Sequence, residues 1–198
     1  MRYLIVCGGK IDKEFGLNEI KTDGIDAIIA ADSGMDFLYE NGVTPDIIVG
    51  DFDSATTKAV ECFERNGQPE IHRLNPIKDD TDTEYAIRLA IREGARSIVM
   101  LGATGSRIDH VLGNISLLGI GLESKTDISI IDTNHRIRRA DKPVTIEKSA
   151  QYGRFVSLIA VTDDNEVSLR GFKYPVTDYS FDRFTSLGIS NEIIDDHA

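Results

Sequence analysis

The sequence predicts an α/β protein in two parts. A mostly parallel sheet with flanking helices is expected over residues 1–125, and a small antiparallel β-sandwich over residues 126–198. Three observations carry this prediction. Short apolar runs of strand length alternate with segments of helical periodicity, the pattern of a sheet joined by crossover helices. The runs read as buried strands. From about Asn134 the helical patterns stop, and short period-two segments separated by turn signals take over.

Residues 3–7, 27–31, 47–49, 71–74 and 98–101 are the predicted strands of the first part. Residues 34–41, 56–66, 83–93 and 108–118 are its predicted helices. In the segment 83–93, Tyr85, Ala86, Leu89 and Ala90 share one face, and Gly94 supplies a stop signal. Residues 127–132 suit one last strand of the first unit. Beyond it, Ile137 and residues 144–146, 155–160 and 167–169 have strand character. Asp163-Asp164-Asn165 marks a hairpin turn and Arg170-Gly171 a second break. No internal repeat or low-complexity linker separates the two parts.

Hydrophobic residues at 41% and charged residues at 28% suit a soluble globular chain. No apolar run approaches the roughly 20 residues that span a bilayer. The run at residues 3–7 is too short for a signal peptide. Cys7 and Cys62 are therefore expected as free thiols in a reducing cytoplasm. A net charge of −11 argues against a nucleic-acid backbone as partner. The excess is local. From Asp23 to Glu84 there are 15 acids and 4 bases, whereas the 18 acids and 18 bases elsewhere cancel. Such a stretch is either a solvated acidic face or a carboxylate cluster that a cation neutralises.

The positions of the acids favour the cluster. Ligands of open α/β sheets bind beyond the carboxyl ends of the strands. Here those ends carry Asp32-Ser33-Gly34, Gly50-Asp51-Phe52-Asp53-Ser54, the segment from Lys78 to Glu84, and Gly102-Ala103-Thr104-Gly105-Ser106-Arg107. Ser54, Thr81 and Asp109 also suit helix N-caps, where acids and hydroxyls are common. Capping alone does not account for the density of carboxylates in 78–84 or for the Asp-x-Asp at 51 and 53. In extended chain those two residues point to the same side, and hard cations such as magnesium take oxygen ligands shared with substrate phosphates. Small residues and amides around Thr104 and Ser106 make an anion seat before a helix. Arg107 offers a planar fork to phosphate and Lys78 a point charge. There is no Walker loop and no Gly-x-Gly-x-x-Gly, and Gly8-Gly9-Lys10 carries little weight beyond a tight turn.

Taken together, these motifs resemble the bacterial thiamine pyrophosphokinase family, which transfers a pyrophosphoryl group from ATP to thiamine. The matching residues are Ala31-Asp32-Ser33-Gly34, Pro45-Asp46, Ile48-Val49-Gly50-Asp51-Phe52-Asp53-Ser54, Asp80-Thr81-Asp82-Thr83-Glu84, Gly105-Ser106-Arg107-Ile108-Asp109-His110 with Asn114, and Gly188-Ile189-Ser190-Asn191-Glu192. The resemblance implies an α/β catalytic domain, a β-sandwich thiamine-binding domain, and a homodimer with active sites between subunits. It implies that Asp51, Asp53 and Asp82 hold magnesium and position the ATP phosphates, with Asp32, Lys78, Thr81, Thr104, Ser106 and Arg107 on the ATP side. Asp109, Asn114, Ser190 and Asn191 are implied on the thiamine side. Asp51, Asp53, Asp82 and Asp109 would be the catalytic acids, and either Asp82 or Asp109 the general base. Tyr174 and Phe184 are candidates for an aromatic contact to the thiamine cation.

Two other readings compete. Val49-Gly50-Asp51-Phe52-Asp53-Ser54 comes near the signature of haloacid-dehalogenase-type phosphatases, in which Asp51 would be a nucleophile. Against it, the motif is not on the first strand, and Gly50 stands where that family prefers an apolar residue. A nucleotide or thiamine sensor without turnover would need only binding.

Overall fold

The computed structural model of the chain describes residues 1–75, 80–105 and 107–198. Strands β1 (Arg2–Val6), β2 (Ala27–Ala31), β3 (Ile47–Gly50), β4 (Glu70–Arg73), β5 (Ser97–Leu101), β6 (Asp127–Ile131) and β7 (Arg136–Arg138) form one sheet. Their order is β4-β3-β2-β1-β5-β6-β7, with every neighbouring pair parallel except β6–β7. Between strands the chain forms α1 (Lys13–Ile20), α2 (Gly34–Glu40), α3 (Thr57–Asn66), α4 (Asp82–Arg92), α5 (Ile108–Leu117) and α6 (Ile120–Ser124). The predicted parallel sheet and its flanking helices are therefore present. Helices α1 and α6 were not anticipated.

Pleating sends successive side chains of a strand to opposite faces, and β1 shows this directly. Tyr3, Ile5 and Cys7 join one buried cluster with Ala86, Ile87 and Ala90 of α4. Leu4 and Val6 join another with Met35 and Leu38 of α2 and Ala59 and Phe63 of α3. Both faces are thus buried, which is why these strands read as continuous apolar runs. Helix α4 is capped by Thr81, whose hydroxyl accepts the Glu84 amide at 3.2 Å. Its first turn carries Asp82 and Glu84, favourable to the helix dipole.

Two compact units divide at Met1–Arg139 and Ala140–Ala198. The division expected after residue 125 falls instead after β7. The reason is that β6 pairs with β5, and Ile128 and Ile130 enter the same core as Ile98 and Met100.

The second unit contains an antiparallel pair, β8 (Asn165–Leu169) and β9 (Val176–Phe181). Isolated antiparallel bridges join Val156 to Asn191, Phe172 to Ile193 and Glu147 to His197. The predicted strands at 144–146 and 155–160 are not continuous strands. Each finds local partners late in the chain: Ile146 bonds Ala198, Val156 bonds Asn191 and Leu158 bonds Gly188. Asp164, with φ of 60°, turns the chain just before β8, so the hairpin expected there lacks a preceding strand.

Candidate functional site

The acids gather at the carboxyl ends of β2 and β3. Ala31 is in register with Val49, and the Asp32 amide donates to the Val49 carbonyl at 2.7 Å, so Asp32 stands beside the loop that leaves β3. Asp32 holds a left-handed φ of 49° and Phe52 one of 66°. Conformations of this kind are sparsely populated by non-glycine residues and recur where a site imposes them. Gly34 belongs to the same construction. A Cβ there would lie 2.0 Å from the Val6 carbonyl oxygen, so only glycine lets the start of α2 lie against the end of β1.

Carboxylate oxygens of Asp32, Asp51 and Asp53 lie within 4.8 Å of one another. Asp32 and Asp51 are half-buried and Asp53 is exposed. The loop shapes itself around its own acids. Asp51 Oδ1 accepts the Asp53 amide at 3.2 Å, and Ser54 Oγ donates to Asp53 Oδ1 at 2.8 Å. Its far end is fastened by Asp36 of α2, whose carboxylate accepts the Thr56 amide at 3.0 Å and the Thr56 hydroxyl at 2.7 Å. Among the described residues, the buried Asp32 Oδ1 has no hydrogen-bond partner. Burial raises the Asp32 pKa, and the negative charges of Asp82 and Asp51 raise it further. An oxygen-rich group of this kind, holding one orphaned buried oxygen among like charges, fits a hard divalent cation.

This grouping differs from the expected trio of Asp51, Asp53 and Asp82. Asp32 joins Asp51 and Asp53 in it, because the pairing of β2 with β3 brings residues 19 apart in the chain together. Asp82 stands outside the three, at the first position of α4, and acts on Asp32 through its charge. Thr81 is the N-cap of α4, with its hydroxyl engaged by that helix.

A second group lies around β5 and α5. Arg107 pairs with Asp109, Nη2 to Oδ2 at 2.7 Å, and both are exposed. The Arg107 guanidinium, helped by the His110 amide, pulls the Asp109 pKa down to about 2. Asn114 donates to the Ala103 carbonyl at 2.8 Å, tying α5 to the loop after β5. Thr104 donates to Asp132 Oδ2 at 2.7 Å. Lys78 and Ser106 lie outside the described residues. Cys7 is no nucleophile in waiting: burial pushes its thiol pKa up to about 12.

In the second unit, Ser190 is exposed with φ of 60°, and its amide donates to Ser157 Oγ at 3.0 Å. Asn191 behaves otherwise than a surface ligand group. It is 6% exposed, and its amide clasps the Tyr174 backbone, accepting from N–H at 3.1 Å and donating to the carbonyl at 2.8 Å. Sequence reasoning missed Asp132, which accepts from Thr104, from the amides of Asn134 and His135, and faces the His135 ring at 3.0 Å. Its only signal was its place at the end of a predicted strand.

Comparisons with known proteins identify the family. Residues 21–131 match the family model described as thiamin pyrophosphokinase, catalytic domain. Residues 143–198 match thiamin pyrophosphokinase, vitamin B1 binding domain. A thiamine pyrophosphokinase of Bacillus subtilis is 35% identical over 168 residues, covering 84% of this chain and 78% of the relative. The crystal structure of thiamine pyrophosphokinase from Bacillus subtilis superposes with a TM-score of 0.87 at 32% identity, covering the whole of this chain and 92% of that one. The enzyme from Geobacillus thermodenitrificans gives 0.80 at 29% identity, with 100% and 90% covered. With both of its units matched and its fold shared along the full chain, this protein belongs to the thiamin pyrophosphokinase family.

Proposed function

We infer that the chain is a thiamine diphosphokinase, forming thiamine diphosphate and AMP from thiamine and ATP. Family membership across both units carries this reading. The phosphatase and sensor readings are not favoured, and Asp51 follows the third strand, engaged by the Asp53 amide.

In the transfer, the hydroxyl oxygen of thiamine attacks the β-phosphorus of ATP. A new O–P bond forms, the bond from the β-phosphorus to the oxygen bridging it to the α-phosphorus breaks, and AMP leaves. Such reactions depend on positioning and on neutralising charge. Asp32, Asp51 and Asp53 are the residues that would hold magnesium, with Asp82 beside them. When bound, magnesium supplies charge neutralisation for the phosphate oxygens. Arg107 supplies a guanidinium fork for the same phosphates. In the free chain that fork is held by Asp109. A phosphate that draws Arg107 away leaves Asp109 more basic, which couples acceptance of the thiamine proton to arrival of the donor. Ser190 faces thiamine in this reading. Asn191 acts behind it by setting the Tyr174 segment. The homodimer implied by the family is part of the proposal and is supported by apolar side chains that the second unit leaves exposed, among them Ile159, Phe184 and Leu187.

The deciding experiment incubates the protein with ATP, magnesium and thiamine and measures AMP. AMP that appears only with thiamine present supports the reading. Phosphate release from simple phosphomonoesters, or no turnover at all, overturns it. Asp53→Ala should abolish turnover while leaving a cooperative melt, and light scattering tests the dimer.

A further inference from the structure

We propose that Arg73 is a positioning residue for the metal loop, acting through the ring of Phe52 to hold Asp51 and Asp53 where one cation can reach both. The inference rests on the reading of Asp32, Asp51 and Asp53 as a magnesium site and names what keeps those acids in place.

The backbone sets the problem. Phe52 separates the two acids of the loop and holds a left-handed φ of 66°. Aromatic residues rarely adopt that conformation, and it persists only where the surroundings over-determine it. Three contacts of the ring supply the constraint. The ring packs with the buried cluster that contains Met35, Ile48 and Phe63. It also lies against Gly50, where an added Cβ would stand 3.2 Å from the Phe52 Cδ1 and 3.2 Å from the Asp32 Cα. The side chain that Gly50 lacks is therefore the space in which the ring and the Asp32 backbone approach each other. The third contact is Arg73, whose guanidinium carbon sits over the ring at 4.9 Å from its centroid, within the range of a cation–π contact.

Arg73 is itself fixed from two elements. It is the last residue of β4 and is in register with Gly50, and the following amide, that of Leu74, donates to the Gly50 carbonyl at 3.0 Å. Its guanidinium pairs with the Glu64 carboxylate of α3. Both side chains are about half exposed, and an ion pair in that setting contributes little stability of its own. What the pair does is directional. Glu64 satisfies a charge for which Asp51, the neighbour of Gly50, would otherwise compete, and so keeps the guanidinium on the ring. The end of β4, helix α3 and the metal loop are joined at this one stack.

Charge and positioning make opposite demands. Arg73 is a cation near a group of acids that takes a cation, so by charge alone its removal would tighten magnesium binding. If it holds the loop through Phe52, its removal frees the acids to separate and weakens binding.

The test titrates the full chain with magnesium chloride by calorimetry and melts the same proteins in EDTA. Arg73→Met keeps the apolar stem and removes the cation. It should raise the magnesium Kd roughly two- to fivefold, the factor equivalent to a cation–π contact at an exposed site. Arg73→Lys keeps a cation for the ring and should recover most of the affinity. Phe52→Leu should weaken binding at least as much as Arg73→Met, and in that background Arg73→Met should add nothing, the coupling that a double-mutant cycle reads. In the transfer assay, the magnesium needed for half-maximal AMP formation should rise with the Kd, while the rate at saturating magnesium stays near wild type. A magnesium Kd that is unchanged or lower in Arg73→Met overturns the assignment, even where the EDTA melt falls, because Arg73 then serves stability alone. An equal effect of Arg73→Met with and without the Phe52 ring overturns it as well. Absence of magnesium binding by wild type sinks the metal reading and this inference with it. Binding that is coupled through Arg73 and Phe52, with no AMP formed, sinks the transfer reading and leaves the positioning role standing.

Discussion

Replacing Asp32 by asparagine should stabilise the metal-free protein and abolish its stabilisation by magnesium. Carboxylate oxygens of Asp32, Asp51 and Asp53 lie within 4.8 Å of one another. Two unit charges at that distance repel by about 3.5 kcal/mol at an effective dielectric of about 20, and by about 0.9 kcal/mol in bulk water. Asp53 is exposed, so its pair with Asp32 sits near the lower figure, while the half-buried Asp51 lies between the two. The variant removes both repulsions and keeps an oxygen of similar shape. It also replaces a buried, unpartnered carboxylate oxygen with a neutral group. The net gain without metal should be about 1–3 kcal/mol, a rise in melting temperature of about 3–10 °C for a unit of this size. Magnesium at 1,000 times its Kd would stabilise wild type by about 4.1 kcal/mol and leave the variant nearly unmoved. Thermal melts in EDTA and in excess magnesium therefore cross: the variant is the more stable without metal, and wild type overtakes it with metal. A variant that melts lower in EDTA, or two proteins that gain equally from magnesium, would refute the reasoning.

Three further outcomes follow from the same geometry. Asp109, held near 2 by Arg107, adds stability above the ordinary carboxylate pKa and gives it up as pH falls through about 2. Arg107→Gln should move the Asp109 titration, followed by NMR, up toward about 3.9, and a midpoint left in place would show that the pair does not set it. Asn191→Ala should destabilise by about 1–3 kcal/mol, because it leaves part-buried backbone groups of Tyr174 unpaired; calorimetry of the full chain reads the change. Ser190→Ala should raise the thiamine KM and leave the melt unaltered, since the side chain is exposed, and an unchanged KM would remove Ser190 from the thiamine side.

Strands β1, β2, β3 and β5 were legible because burial on both faces demands apolar runs, which a single sequence displays. Helix α1 was not. Gly16 sits in its middle, against Phe37 and Ile11, where a larger residue would not fit, and glycine argues against a helix by propensity. Strand β9 was also missed, because Val176-Thr177-Asp178-Tyr179-Ser180-Phe181 is largely exposed and buries only Phe181. In the site, Asp51 and Asp53 were readable from their spacing alone. The recruitment of Asp32 depended on which strands adjoin, information that no local pattern contains. Asn191 shows the complementary case. Its motif marked it as important, but its partner Tyr174 is 17 residues away, and only the fold shows that its side chain is spent on backbone.

The fastening of Thr56 by Asp36 bears on when the metal loop loses its freedom. Fixing one residue's backbone costs about 1–2 kcal/mol of conformational entropy. A loop anchored by β3 at one end and by the Asp36 carboxylate at the other meets much of that cost as the chain folds, so little is left to be charged against cation binding. Asp36, which no ligand atom need touch, thus shares in setting how tightly the neighbouring carboxylates can hold an ion.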